Sequence, residues 1–439
     1  MSVLAFQLNA SMVTPVLPAM AAALGVDVAS VSRVSSWFFL SGAVAGIALG
    51  RWSDEAGRRR VLFVALSASL VGTALCAAAP GLGVLLLGRL LQGASGVVFQ
   101  LAYVLLRERL PPERFAVSLG VITAINGGVG GLDGYGGAWL AGETGFRSIF
   151  CVTFVVALLA IGLVWRLVPP DPRPAGPWRR TDWAGAGWLA LLLVALDRCL
   201  SMAGGGGGPL LAAVAAGTML LVALPMLVRR QRRAAWPLIP PGFAVSRRCW
   251  ALLATTLLAL AGVFALVNLT LVLLLQGRPP GFGLSPARAA LLVLTPPALL
   301  GCVSAPAAGW LASRFGWRRM LRGGLLFCAL SVAVLLAERD RLPVLLGCVA
   351  LLGIGYNGLV LTTLNGLGTL LSPAEAPALL PGLNGAAFGI GAGLGIAVAA
   401  PYAAAATDAG FTTAILIALG FTLTATLASL LIEEPPGRP

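Results

Sequence analysis

The 439-residue sequence contains no lysine and no histidine, and only 10% of its residues are charged. Soluble globular proteins carry about a quarter of their residues as Asp, Glu, Lys or Arg, so a water-facing surface cannot be assembled from this chain. Without histidine the commonest general base and metal ligand is missing, and no nucleophile–base–orienter set or metal cluster replaces it. An enzyme is not expected, and neither is a metal or an organic cofactor. Cysteines 76, 151, 199, 249, 302, 328 and 348 lie mostly inside apolar runs and never form CxxC. They read as small apolar fillers. Disorder is excluded by the 58% hydrophobic content.

What the chain does have is apolar runs of roughly 18–26 residues, the length a helix needs to cross a bilayer. Fourteen spans are expected, near 3–24, 31–50, 61–79, 82–106, 115–141, 148–168, 183–200, 209–228, 249–276, 287–310, 321–337, 343–370, 377–404 and 410–432. The first carries Pro15 and Pro18 and lacks a basic leader, so it reads as a span and not as a cleavable signal. All 30 basic residues are arginine. Assigning loops alternately puts 22 on one side, six on the other (Arg33, Arg147, Arg278, Arg288, Arg339, Arg341) and two, Arg89 and Arg198, within spans. The positive-inside bias then places both termini in the cytoplasm. The net charge of +14 sits in short loops between apolar runs, so the partner is the lipid bilayer and not nucleic acid. Abundant Ala, Gly and Arg with no Lys suits a GC-rich bacterial genome, and hence a bacterial cytoplasmic membrane.

Two Pro- and Arg-rich stretches, 169–182 and 229–248, read as linkers. They divide the chain into an N-terminal six-helix bundle (1–168), a segment of linkers with two extra helices (169–248) and a C-terminal six-helix bundle (249–439). A repeat joins the two sixes. Residues 50–62 read GRWSDEAGRRRVL and residues 309–321 read GWLASRFGWRRML, with Gly50/Gly309, Gly57/Gly316, Arg59/Arg318 and Arg60/Arg319 coinciding. Parallel repeats of this kind build transporters in which two bundles rock about a midplane site.

With these motifs the sequence resembles the major facilitator superfamily, specifically its fourteen-helix drug/proton antiporter branch (DHA2 type). Gly50, Asp54, Gly57, Arg58 and Arg59 match the superfamily's gating loop. Arg89, Gln92 and Gly93 match its fourth-helix signature. The glycine-rich stretch 120–137, with Gly127, Gly131, Gly136 and Gly137, resembles the fifth-helix antiporter signature. The first helix, from Asn9-Ala10-Ser11 to Leu17-Pro18, resembles the branch's DxT…LP pattern. Three positions depart: Asn9 stands where the family has Asp, Asp133 where it has Pro, and Ser313 where the second repeat has Asp. The resemblance implies an all-α fold of two six-helix bundles plus two central helices. It also implies that Asp54 latches the halves on the cytoplasmic side, against the helix starting near Pro377.

Buried charges are the most informative residues, because an ionisable group at membrane depth usually faces a cavity or a partner. Arg89 and Asp133 lie about equally far from the turn between helices four and five, near residue 111, and equal arc lengths in an antiparallel hairpin mean equal depth. They are expected to meet, either as a static ion pair or as a protonation switch. Asp197 and Arg198 read as interfacial. Polar residues available to line a cavity include Asn9, Asn126, Asn268, Tyr356 and Asn357, together with Gln100, Gln276, Asn365 and Asn384. Tyr356 and Trp37 could stack on a flat substrate. The expected activity is proton-coupled export of lipophilic or amphiphilic small molecules such as drugs, antibiotics or secondary metabolites, by a monomer that draws on the proton gradient. The alternative is an importer or uniporter of a small metabolite, which calls for a denser polar constellation at the midplane.

Overall fold

A computed structural model describes residues 1–169, 181–203, 210–277 and 281–435, with side-chain surroundings for all of these except 28, 29, 32, 129–132, 135, 203, 210–212 and 287. Fourteen helical spans run through them. They are α1 (Ser2–Leu24), α2 (Val28–Ala56), α3 (Arg58–Ala77), α4 (Leu82–Arg109), α5 (112–144), α6 (Arg147–Leu167) and α7 (Trp183–Ala203). Then follow α8 (Leu210–Arg233), α9 (Arg247–Gln276), α10 (Pro286–Phe315), α11 (Trp317–Ala337), α12 (Leu342–Leu370), α13 (Leu379–Ala404) and α14 (Asp408–Ser429). Thirteen are long and apolar enough to cross a membrane; α5, built of three consecutive helical pieces, is the fourteenth.

The segment 50–60 read as a loop is almost entirely helical. It forms the last turns of α2 and the first of α3, and only Gly57 breaks the run, at φ 91°. Gly316 breaks the second repeat at φ 101°. A side chain is strained in that region of backbone space, so the repeated glycines are the price of two helices turning within one residue. At the other end of α2, the Asp27 carboxylate accepts the Ser30 N–H at 2.9 Å and caps the helix. The Ser30 hydroxyl, together with that backbone bond, holds the Asp27 carboxyl below its ordinary range.

Several helices are broken at depth. Pro15 starts a 3-10 turn in α1 (Thr14–Val16), and α4 carries another at Gly93–Gly96. Wide π turns occur in α5 (Ile125–Val129), α9 (Leu260–Phe264 and Leu266–Thr270) and α12 (Gly353–Val360). Such turns interrupt the regular ladder and are common where a helix must do more than pack.

Small residues set the packing, as they do in membranes where no hydrophobic drive separates helix from lipid. Along the α5–α10 seam, a Cβ on Gly120 would lie 2.3 Å from the Ala305 carbonyl oxygen and one on Gly309 would lie 2.0 Å from that of Ala116. α9 packs on α13 and α14, and α2 on α13. α7 pairs with α8 and also lies against both α2 and α13. Asp182, 5% exposed, ties the start of α7 to the end of α8: it accepts from Gly185 N at 3.0 Å, Arg230 Nε at 2.9 Å and Gln231 Nε2 at 3.1 Å. Residues 170–180 of the first linker lie outside the described residues.

Candidate functional site

Three polar arrangements stand out from the apolar interior. The first is centred on α1. Arg89, fully buried in α4, donates through Nε to the Val34 carbonyl at 2.9 Å and through Nη1 to the Asn9 carbonyl at 2.9 Å and Gln92 Oε1 at 2.7 Å. Its guanidinium also sits 4.2 Å over the Phe38 ring. Gln92 is oriented in turn by its Nε2, which donates to Thr73 Oγ1 at 2.9 Å. The arginine therefore clamps α1 and α2 to α4, and stacking on Phe38 together with three oxygen acceptors stands in for a counter-ion.

Asp133 lies on the other side of α1. It is 9% exposed, and its Oδ2 accepts a hydrogen bond from Ser11 Oγ, while Oδ1 has no hydrogen-bond partner among the described residues. The expected pairing of Arg89 with Asp133 is thus corrected. The two belong to one polar group, but α1 runs between them and takes both, the Asn9 carbonyl towards Arg89 and the Ser11 hydroxyl towards Asp133. Equal arc lengths bring two residues to the same depth whether or not a third helix lies between them. Asp197 and Arg198 pair with each other at 2.6 Å on the exposed side of α7.

The second arrangement is a chain of amides and hydroxyls crossing four helices. Thr256 Oγ1 of α9 donates to Asn384 Oδ1 of α13 at 2.6 Å. Asn384 Nδ2 donates to Asn365 Oδ1 of α12, and Asn365 Nδ2 to Thr123 Oγ1 of α5, each at 3.5 Å. Nearby, Asn357 Nδ2 donates to the Pro297 carbonyl at 3.1 Å from within the π turn of α12, and Gly127 and Gly301 face its side chain. Tyr356, within the same turn, is 7% exposed, and its hydroxyl has no partner among the described residues. Asn268 donates back to the Phe264 carbonyl at 3.0 Å on an exposed face of α9, and Trp37 is 40% exposed. Asn126 is half-buried in the π turn of α5. Asn9 is buried, with Nδ2 bonded to the Ala5 carbonyl at 3.0 Å.

The third arrangement lies at the Gly57 end. Asp54 accepts from Arg58 Nη1 at 2.6 Å and Arg51 Nη1 at 3.1 Å, and the Ala378 N–H just before α13 faces it. Gly50 packs on Ala378, and Arg58 reaches on to Ser53 Oγ at 2.8 Å and Glu108 Oε1 at 3.3 Å. Arg59 Nη2 donates to the Trp165 carbonyl at 2.7 Å. Close by, Arg107 of α4 donates to the Thr369 carbonyl of α12. The acidic side chain thus meets the positive end of a neighbouring helix, a favourable charge–dipole contact. Of the fourth- and fifth-helix glycines, a Cβ on Gly93 would strike Ser41 and one on Gly137 would lie 2.8 Å from the Met12 carbonyl oxygen, whereas Gly136 faces open space. The surroundings of Gly131 lie outside the described residues.

The family model described as Major Facilitator Superfamily matches residues 1–280 and again 252–439. The chain belongs to that superfamily. Its sequence relatives include a uridine/deoxyuridine transporter of Lactococcus lactis subsp. cremoris, 35% identical across 89% of this chain and 82% of the relative. They also include a puromycin resistance protein of Streptomyces alboniger, 30% identical across 97% and 88% respectively. Among solved structures, the human organic anion transporter MFSD10 superposes with a TM-score of 0.66 at 17% identity, over 98% of this chain and 97% of that one. The proton:xylose symporter XylE superposes at 0.68 with 15% identity, over 97% and 92%. At those identities the likeness establishes the fold alone. Membership of this superfamily makes the chain a multi-pass membrane transporter of small molecules and not an enzyme.

The sequence assigned no role to Ser11, Val34, Phe38, Thr73 or Thr256, whereas the Asp54 contact falls at Ala378, beside the Pro377 expected for it. Ser11 carried a signal: it follows Asn9 by two, and residues two apart on a helix address opposite neighbours. The others act through backbone groups or as ordinary hydroxyls and rings, and no pattern marks them.

Proposed function

We propose that the protein is a proton-coupled secondary transporter of small solutes of nucleoside size, driven by the proton gradient without a cofactor, and that Asp133 carries the proton. The observation behind this reading is a carboxyl group about 11 residues, roughly 16 Å, from the end of α5, with one oxygen on a serine and, among the described residues, no partner for the other and no arginine bonded to it. A permanent charge so placed is costly, while a group that alternates between charged and neutral turns the cost into coupling. The two sequence relatives above are named for uridine/deoxyuridine transport and for puromycin resistance, and uridine and puromycin are both nucleosides. Amides such as Asn357, Asn365 and Asn384 offer the paired donor and acceptor that a base edge requires. In this reading the bundles 1–168 and 249–439 rock about that region, Asp54 and Ala378 latch the cytoplasmic side, both termini are cytoplasmic and the working unit is a monomer.

A second reading keeps the mechanism and changes the cargo to lipophilic antibiotics, exported by antiport. It draws on the resistance relative and on the largely apolar interior. Reconstitution into liposomes with an imposed pH gradient tests both, using labelled uridine, puromycin and a set of lipophilic cations. Asp133→Asn should abolish gradient-driven flux of the transported compound while energy-independent exchange persists. Normal gradient-driven flux in that variant would move the proton site elsewhere.

A further inference from the structure

We infer that Ser11 passes the protonation state of Asp133 to the backbone of α1; the inference rests on Asp133 being the proton site. The Ser11 hydroxyl has two acceptors in reach, Asp133 Oδ2 and the Gln7 carbonyl oxygen at 2.7 Å, while Gln7 Nε2 points at it from 3.3 Å. A hydroxyl has one proton to give and two lone pairs to receive with. It can serve only one of those acceptors at a time, and the charge on Asp133 decides which.

An ionised Asp133 can only accept, so it takes the Ser11 proton and leaves the Gln7 carbonyl to its helical partner. When Asp133 gains a proton from water on the side to which the cavity is open, its own O–H donates to Ser11 Oγ. The Ser11 hydroxyl then turns to the Gln7 carbonyl, four residues back. The carboxyl O–H is the only covalent bond formed, and it breaks again when the proton leaves on the other side. A serine bonding back to the i−4 carbonyl loosens that helical turn and favours a bend. Ser11 ends the first helical piece of α1, three residues before the 3-10 turn at Thr14–Val16, so the bend falls where the helix is already interrupted. Two residues earlier the Asn9 carbonyl is held by Arg89, which makes the Arg89 clamp the fixed point against which α1 flexes.

Among the described residues, the charged groups on the surrounding helices are engaged elsewhere or lie at helix ends, Glu113 and Arg114 at the start of α5 included. α1 carries no charged side chain. On α6, Arg147 donates to the Ala79 carbonyl at 2.8 Å and Arg166 lies at the far end. On α10, Arg288 and Arg314 sit near opposite ends, and on α5 itself Glu143 is at the C-terminal end. Arg89 on α4 is committed to Val34, Asn9 and Gln92. Cys302 of α10 donates to the Ala124 carbonyl at 3.4 Å.

The test needs no substrate. Infrared difference spectra of the reconstituted protein, titrated with pH, record the C=O stretch of a protonated carboxyl group. Asp133→Asn identifies its band by removing it. In Ser11→Ala the band should shift in frequency, because the carboxyl O–H has lost the hydroxyl that accepts from it. Ser11→Thr, which keeps the hydroxyl, should restore it. Ser11→Cys, a poorer acceptor, should fall between and gives the same reading if the alanine variant does not fold. A band lost in Asp133→Asn but unmoved in Ser11→Ala and Ser11→Cys overturns the role of Ser11 and spares the proton site. A titration that survives Asp133→Asn unchanged overturns the proton site itself.

Discussion

Gly309→Ala is the sharpest structural test, because the backbone around it cannot yield cheaply. The added methyl would lie 2.0 Å from the Ala116 carbonyl oxygen, where ordinary contact begins at 3.4 Å. That oxygen belongs to the α5 backbone and has no rotamer to turn away. α5 and α10 must therefore part by about 1.4 Å at this level, one helical turn from Gly120, where a Cβ would lie only 2.3 Å from the Ala305 oxygen. Overpacking of this kind costs about 1–3 kcal/mol. Gly323→Ala on α11 is the control, since its methyl meets nothing within 4 Å and a helical glycine replaced by alanine gains up to about 1 kcal/mol. Thermal unfolding of the two purified variants in one detergent should separate them by roughly 2–5 °C, with Gly309→Ala the lower. Equal melting, or a more stable Gly309→Ala, would mean that α5 and α10 are not in this contact.

Arg89→Ala should destabilise the protein by about 2–5 kcal/mol, since three hydrogen bonds at roughly 0.6–1.7 kcal/mol each and the Phe38 contact are lost together; size-exclusion profiles and melting curves measure it. Asp54→Asn should slow transport while leaving expression and substrate binding largely intact, by weakening a contact between α2 and α13 that biases the conformational equilibrium by about 1–3 kcal/mol; initial flux rates against equilibrium binding separate the effects. Reporter fusions at Gly206 and Arg230 should lie outside and inside the cell respectively, as the arginine bias requires, and finding both on one face would break the fourteen-span topology.

The fold was largely legible because its determinants are local. A run of twenty apolar residues must be a helix in lipid, since no other conformation satisfies its backbone. The repeat was visible because Gly57 and Gly316 both need a positive φ that only glycine adopts freely. The breaks in α1, α4, α5, α9 and α12 were not legible. Pro15 and Gly93 permit a 3-10 turn but do not compel one, and nothing in Gly353–Val360 distinguishes a wide turn from a regular one. The site failed in a more instructive way. Arg89 and Asp133 were recognised by their cost, which is a property of composition and depth. Their partners were not, because the Val34 and Asn9 carbonyls exist at every residue and only the tertiary path of α1 selects them.

One consequence follows from the placement of α7 against both α2 and α13. A helix adhering to two neighbours cannot follow both once they separate, so it must slip on one of them. Its contact with α13 is a smooth one: Leu200 rests on Gly393, one turn after Gly389, which meets nothing within 4 Å, whereas Gly391 and Gly395 turn the other way, onto Leu257 and Ala261 of α9. Side chains interlocked as ridges and grooves would resist axial travel, whereas a surface of glycines resists it little. At Leu200 the seat of α7 on α13 is thus one that yields to axial sliding more readily than interlocked side chains would, a contact of the shear kind and not of the hinge kind.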